Sequence, residues 1–114
     1  MKSLNSLSLN NDIFTPEIMS WIEKEGFESR SNDSYCYKES GLEDWENKCF
    51  YKVAGYYGND WPVRVYIFSQ GIGVDVDYEC GGNSSTMFWK FTDYDNDFER
   101  VYDHMVDYVQ RQTK

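Results

Sequence analysis

The chain has 114 residues and carries 20 acidic against 11 basic side chains, a net charge of −9. That length suits one domain with a core that stands without staples. The charge argues against direct binding to DNA, RNA or anionic membranes, because phosphates are held by Lys and Arg.

Three cysteines, Cys36, Cys49 and Cys80, show no CxxC spacing. They argue against a disulfide framework and for a reducing, cytoplasmic setting. The first residues hold one Lys and no apolar run, so no signal peptide is expected. No stretch approaches the ~20 apolar residues of a membrane helix. Aromatic residues make up 18% of the chain, with ten Tyr and four Trp. That exceeds what a core of this size needs, so part of the set is expected at the surface, where Tyr and Trp favour interfaces.

Residues 1–12 read as a flexible arm, or, through Leu7 and Leu9, as a short edge strand. Residues 13–114 read as a single α+β domain. A first helix begins at Thr15, with Thr15 as N-cap, Pro16 at the first helical position and Glu17 near the positive end of the dipole. Phe14 and Met19 occupy the two positions of a hydrophobic staple. Ile18, Trp21 and Ile22 make the buried stripe, and Gly26 ends the helix with Phe27 as its apolar contact. Residues 28–33 are a polar turn or strand start. A first strand is expected near Ser34–Lys38, an acidic loop over 39–47, and a second strand near Lys48–Ala54. In the second strand Cys49, Tyr51 and Val53 share one face, and Phe50 shares the other with Lys48 and Lys52. The loop GYYGNDW (55–61) contains turn residues, but turn chemistry does not account for Tyr56, Tyr57 and Trp61 together. They tuck under the sheet or stand as an exposed aromatic patch.

The stretch WPVRVYIFSQGIGVDVDYEC (61–80) alternates strictly and is expected to form a hairpin. A two-residue loop at Gln70-Gly71 with a type I′ turn would pair Ile67 with Val74, Val65 with Val76 and Val63 with Tyr78. Arg64 would then meet Asp77, and Tyr66 would meet Asp75. Thr86–Phe91 makes a fifth strand, with Met87, Trp89 and Phe91 on one face. A second helix runs from about Asp97 to Gln112, with Asn96 as N-cap. Phe98, Val101, Tyr102, Met105, Tyr108 and Val109 form its apolar stripe. The order is αβββββα: an antiparallel meander with two helices packed on one face and the other face open.

Candidate chemistry is thin. Asp75, Asp77 and Glu79 alternate along one strand and could hold Mg²⁺, but a solvated outer face explains them as well. Three Cys and one His match a zinc ligand count, yet each stands alone in sequence. His104 falls on the polar side of the second helix between Asp103 and Asp107, with no nucleophile paired to it. Neither a nucleophile elbow nor a P-loop nor a dinucleotide motif occurs, and Asn83-Ser84-Ser85 is a sequon by chance. No catalytic residue, metal or cofactor is expected.

The strongest non-random feature is the acidic run Asp93, Asp95, Asp97, Glu99, Asp103 and Asp107, offset only by Arg100. Glu99, Asp103 and Asp107 stand four residues apart, a row spaced about 6 Å along a helix. An ordinary solvated helix face accounts for such a row. So does a row of charge that imitates a nucleic acid backbone.

In size, charge and aromatic content the chain is similar to small inhibitors from phages and mobile elements, and to immunity proteins that block nuclease toxins. The likeness is compositional and carries over no residue roles. The expected function is a non-enzymatic inhibitory module. It would bind a basic protein, a nuclease or another nucleic-acid-binding protein, through Asp75, Asp77, Glu79, Glu99, Asp103 and Asp107 with Tyr56, Tyr57, Trp61 and Tyr66 as anchors. The alternative is a structural or adaptor subunit, monomeric or dimerised through the open sheet face by Phe50, Tyr66, Phe68 and Phe88.

Overall fold

A computed structural model describes residues 14–31, 48–58, 60–79 and 83–113; side chains of 31, 48, 77–79 and 83–85 are not described within them. The elements are α1 (Pro16–Lys24), β1 (Glu28–Ser31), β2 (Lys48–Tyr57), β3 (Trp61–Ile67), β4 (Gly71–Glu79), β5 (Asn83–Lys90), a 3₁₀ turn (Phe91–Tyr94) and α2 (Phe98–Gln112). The five strands make one antiparallel sheet in the order β1-β2-β3-β4-β5. The expected strand at 34–38, the loop that follows it and the arm at 1–12 lie outside the described residues.

Local chemistry accounts for the ends of the helices. The Thr15 hydroxyl accepts from the Ile18 N–H at 3.3 Å, and Pro16 opens α1 where its missing N–H is no loss. At the other end Phe27 N–H donates to the Ile22 carbonyl and Gly26 N–H to that of Glu23. These are the two bonds of a Schellman cap, with Gly26 at φ 95 in the region that glycine enters freely. Met19 does not staple to Phe14: it is 39% exposed. The Phe14 ring instead meets Phe50, Phe91 and Phe98 edge-on at 6.0–6.5 Å. The N-cap of α2 is Asp97, whose carboxylate accepts from Arg100 N–H at 3.3 Å. Asn96, the expected cap, is one residue too early; it and Asp95 take left-handed conformations, φ 55 and 60, that end the 3₁₀ turn.

The main core lies between the helices and one face of the sheet. Val63, Val65, Ile67, Ile72, Val74 and Val76 point up from β3 and β4, each 1% exposed or less. Ile18 and Ile22 of α1 and Phe98, Val101, Tyr102, Met105 and Val109 of α2 pack down on them. Fully burying a side chain of this kind contributes roughly 1.5–3 kcal/mol, so a one-residue slip of either strand is forbidden by the core alone.

A two-residue slip is not, and here the structure departs from expectation. Ile67 pairs with Ile72, Val65 with Val74 and Val63 with Val76. The turn residues are Ser69 and Gln70, closed by Phe68 N–H to the Gly71 carbonyl at 2.8 Å. Neither has positive φ, so the turn is not type I′. Gly71 belongs to β4, opposite Lys90. A Cβ there would stand 2.4 Å from both the Phe88 ring and the Trp89 carbonyl oxygen. Glycine is needed for close approach of β5, not for the turn. Moving the register by two keeps every apolar residue on its face, so the alternation could not distinguish the two pairings.

Two further expectations change. Phe50 lies on the helix side, packed against the main core, and so does not belong to an open face. The other face is not open at its centre either: Cys49, Tyr66 and Phe68 are 4%, 2% and 1% exposed and form a second cluster with Tyr51 and Phe88. The interface expected from Phe50, Tyr66, Phe68 and Phe88 therefore does not exist as one exposed ring surface. β2 also runs three residues past its expected end at Ala54, through a bulge between Val53 and Gly55.

Candidate functional site

Each turn of α2 carries one apolar and one acidic commitment. Its stripe is buried, and the carboxylates one step round the helix face outward. Asp103 and Asp107 are exposed and Glu99 is half-buried. Two ion pairs near this row lie at the surface. Asp107 meets Arg111 one turn on at 3.2 Å, and Asp95 meets Arg100 at 3.3 Å. Pairs this exposed contribute about 0.3–0.5 kcal/mol each and exchange readily for other partners. Arg100 also lies over the Tyr94 ring at 5.5 Å, and exposed His104 stands 4.9 Å from the same ring.

The strand carboxylates are a different matter. Asp75 is 7% exposed and lies on the sheet face away from α2. It accepts a charge-assisted bond from Arg64 Nε at 2.9 Å, its cross-strand partner. In the strand register Arg64 stands opposite Asp75, where Asp77 was expected. Burial works against the Arg64 charge, but the Asp75 carboxylate, helped by Tyr66 and Tyr51, holds the guanidinium pKa above its ordinary value. Asp75 is thus a buried structural carboxylate, not part of a solvated acidic stripe. Asp77 and Glu79 lie further along β4, opposite Ser84 and Asn83, with side chains outside the described set.

The aromatic residues divide in the same way. Tyr66, 2% exposed, is not available as a surface anchor. Trp61 is half-buried against the main core. Tyr56 and Tyr57 stand out at the end of the β2–β3 hairpin, 52% and 41% exposed. The carboxyl end of α2 reaches that hairpin: the Thr113 methyl lies 2.7 Å from where a Cβ on Gly55 would be. The acid row therefore runs towards Tyr57, which pairs with Trp61 on the helix side of the sheet. Glu99, Asp103 and Asp107 share one row of α2, and the carboxyl end of that helix lies beside the hairpin that carries Tyr57. Asp75 and Tyr66 lie on the opposite face of the sheet.

One feature was invisible in the sequence. Between α2, β2 and the start of β1 lies a partly open cleft of about 130 Å³. Phe27, Val65, Tyr102, Met105 and Val109 line its buried side, half-buried Lys52, Ala54 and Val106 the rest, and exposed Gln110 its edge. The Lys52 ammonium donates to the Glu25 carbonyl at 2.9 Å and lies 5.0 Å from the Phe27 ring centre. Burial, with Glu25 and Asp103 nearby, pushes the Tyr102 hydroxyl pKa up to about 12. The one available signal was Lys52 alternating in phase with Phe50, a cation set on the face that carries the core.

Among the described residues no group of three His, Cys, Asp or Glu could hold a metal ion, and no helix is long and apolar enough to cross a membrane. Cys49 is buried, its thiol 3.9 Å from the Arg30 carbonyl. The chain matches no family model, no curated protein and no solved structure.

Proposed function

We propose that this protein is a non-enzymatic acidic binding module that occludes a basic, nucleic-acid-binding surface of a partner protein. The observation that carries the reading is the row Glu99, Asp103 and Asp107 along the outward side of one well-packed helix. Rigid placement matters, because a charge held in position is not ordered at the moment of binding. Such a row supports fast, salt-sensitive association more than raw affinity. Tyr56 and Tyr57 at the hairpin end add exposed aromatic area of the kind that dominates binding hot spots.

The test is an affinity capture from the native host lysate at low and high salt, with the triple variant Glu99→Lys, Asp103→Lys, Asp107→Lys run in parallel. A basic nucleic-acid-binding protein, held at low salt, released at high salt and not captured by the variant, is the expected result. Capture that the variant retains in full removes the row from the interaction.

A further inference from the structure

We propose that the cleft beneath α2 is an anchor pocket for a single aliphatic side chain carried on a basic segment of a protein partner. The proposal rests on the acidic-module reading and gives it a second, apolar contact.

Size is the first argument. A cleft of about 130 Å³ is well below the roughly 300–1,000 Å³ of a small-molecule site and matches one large aliphatic side chain. The second argument is the lining. Val65, Met105 and Val109 are 1%, 3% and 8% exposed and offer only carbon and sulfur to an occupant. The cation in the lining, Lys52, already donates to the Glu25 carbonyl and lies over the Phe27 ring. The third argument is the rim. Glu25 and Asp103 both act on the Tyr102 hydroxyl in the cleft wall. Val106 in the lining follows Asp103 by three residues, and Gln110 at the edge follows Asp107 by three, so cleft and acid row share neighbouring strips of one helix. An apolar hole beside a row of carboxylates fits an apolar residue flanked by Lys or Arg. A second copy of this chain, itself at −9, brings the wrong charge to that edge.

The test uses the full chain with labelled methyl groups and three short synthetic peptides at low salt. One has leucine flanked by Lys and Arg, one has alanine in place of the leucine, and one keeps the leucine but replaces every base by serine. The basic leucine peptide is expected to shift the methyl signals of Val65, Met105, Val106 and Val109. It should bind roughly tenfold or more tightly than its alanine twin, from the burial of three extra carbons. The variant Ala54→Phe, which fills the cleft and keeps every carboxylate, should bind both basic peptides alike. Because that variant could misfold, the methyl shifts in the unaltered chain decide the question without it. Equal binding of the two basic peptides, with shifts confined to the acid row, overturns the pocket and leaves the acidic module standing. Equal binding of the serine-flanked peptide overturns the basic occupant. No binding of either basic peptide overturns both readings. A dimer in sedimentation with the cleft methyls at its interface makes the occupant a second copy and overturns the proposal.

Discussion

Asp75 and Arg64 form a pair whose value depends on depth. The side chains are 9% and 28% exposed, so solvent screens them far less than it screens Asp107 and Arg111 at 69% and 65%. Removing one partner leaves the other charge without its main compensation in a half-dry site. Asp75→Asn is expected to cost about 2–3 kcal/mol in urea unfolding. The double variant Arg64→Leu, Asp75→Leu should cost less than the two single changes added together; strict additivity would mean the pair contributes nothing specific. Tyr102 gives a pH dependence with a definite sign. Its hydroxyl titrates near 12 when folded, against an ordinary 10. The unfolded chain therefore loses that proton first, and the associated stability, whole below pH 10, drains away as pH rises towards 12. The loss is on the order of 2 kcal/mol. Unfolding midpoints of the natural chain and Tyr102→Phe, compared from pH 9 upward, isolate it: the variant should lack that part of the alkaline slope.

At the level of elements, two positions show what holds the strands and helices in register. Gly71→Ala in an unstrained site would stabilise by about 0.4–1 kcal/mol through the unfolded chain. Here the new methyl meets the Phe88 ring and a backbone oxygen at 2.4 Å, and the oxygen cannot retreat without disturbing the β4–β5 ladder. A destabilisation of about 1–3 kcal/mol is expected from denaturant titration, and a gain in stability would contradict the close approach. For α2, Asp97→Ala should cost about 1 kcal/mol because Arg100 N–H loses its acceptor. Asp97→Ser, which keeps an acceptor, should recover most of it. The caps were legible where the motif was complete: Thr15-Pro16 and Gly26-Phe27 stand where their chemistry requires. Asn96 and Asp97 are both good caps, and only the geometry of the preceding 3₁₀ turn chooses between them.

For the molecule as a whole, charge works against compactness. Twenty acids face eleven bases, and surface ion pairs such as Asp95–Arg100 and Asp107–Arg111 each gain little. Added NaCl screens net repulsion more than it weakens such pairs, so the unfolding midpoint should rise with salt at neutral pH, and a fall would show that specific pairs dominate. What the sequence determined by itself was whatever depends on near neighbours and on period. That covers two capped helices, a meander of alternating strands, the apolar stripe of α2 and the outward acid row beside it. Those features repeat at 3.6 or 2 residues, and burial reads that period directly. Tertiary structure alone decided the rest. A slide of two residues preserves every face, so alternation alone could not choose between Asp75 and Asp77 as the partner opposite Arg64. Asp75, Tyr66 and Phe68 alternate like surface residues, yet they are buried, because alternation tells which face a side chain takes and not what covers that face. The cleft beside Lys52 needs α2, β2 and Phe27 at once, and no single stretch of chain carries its signature.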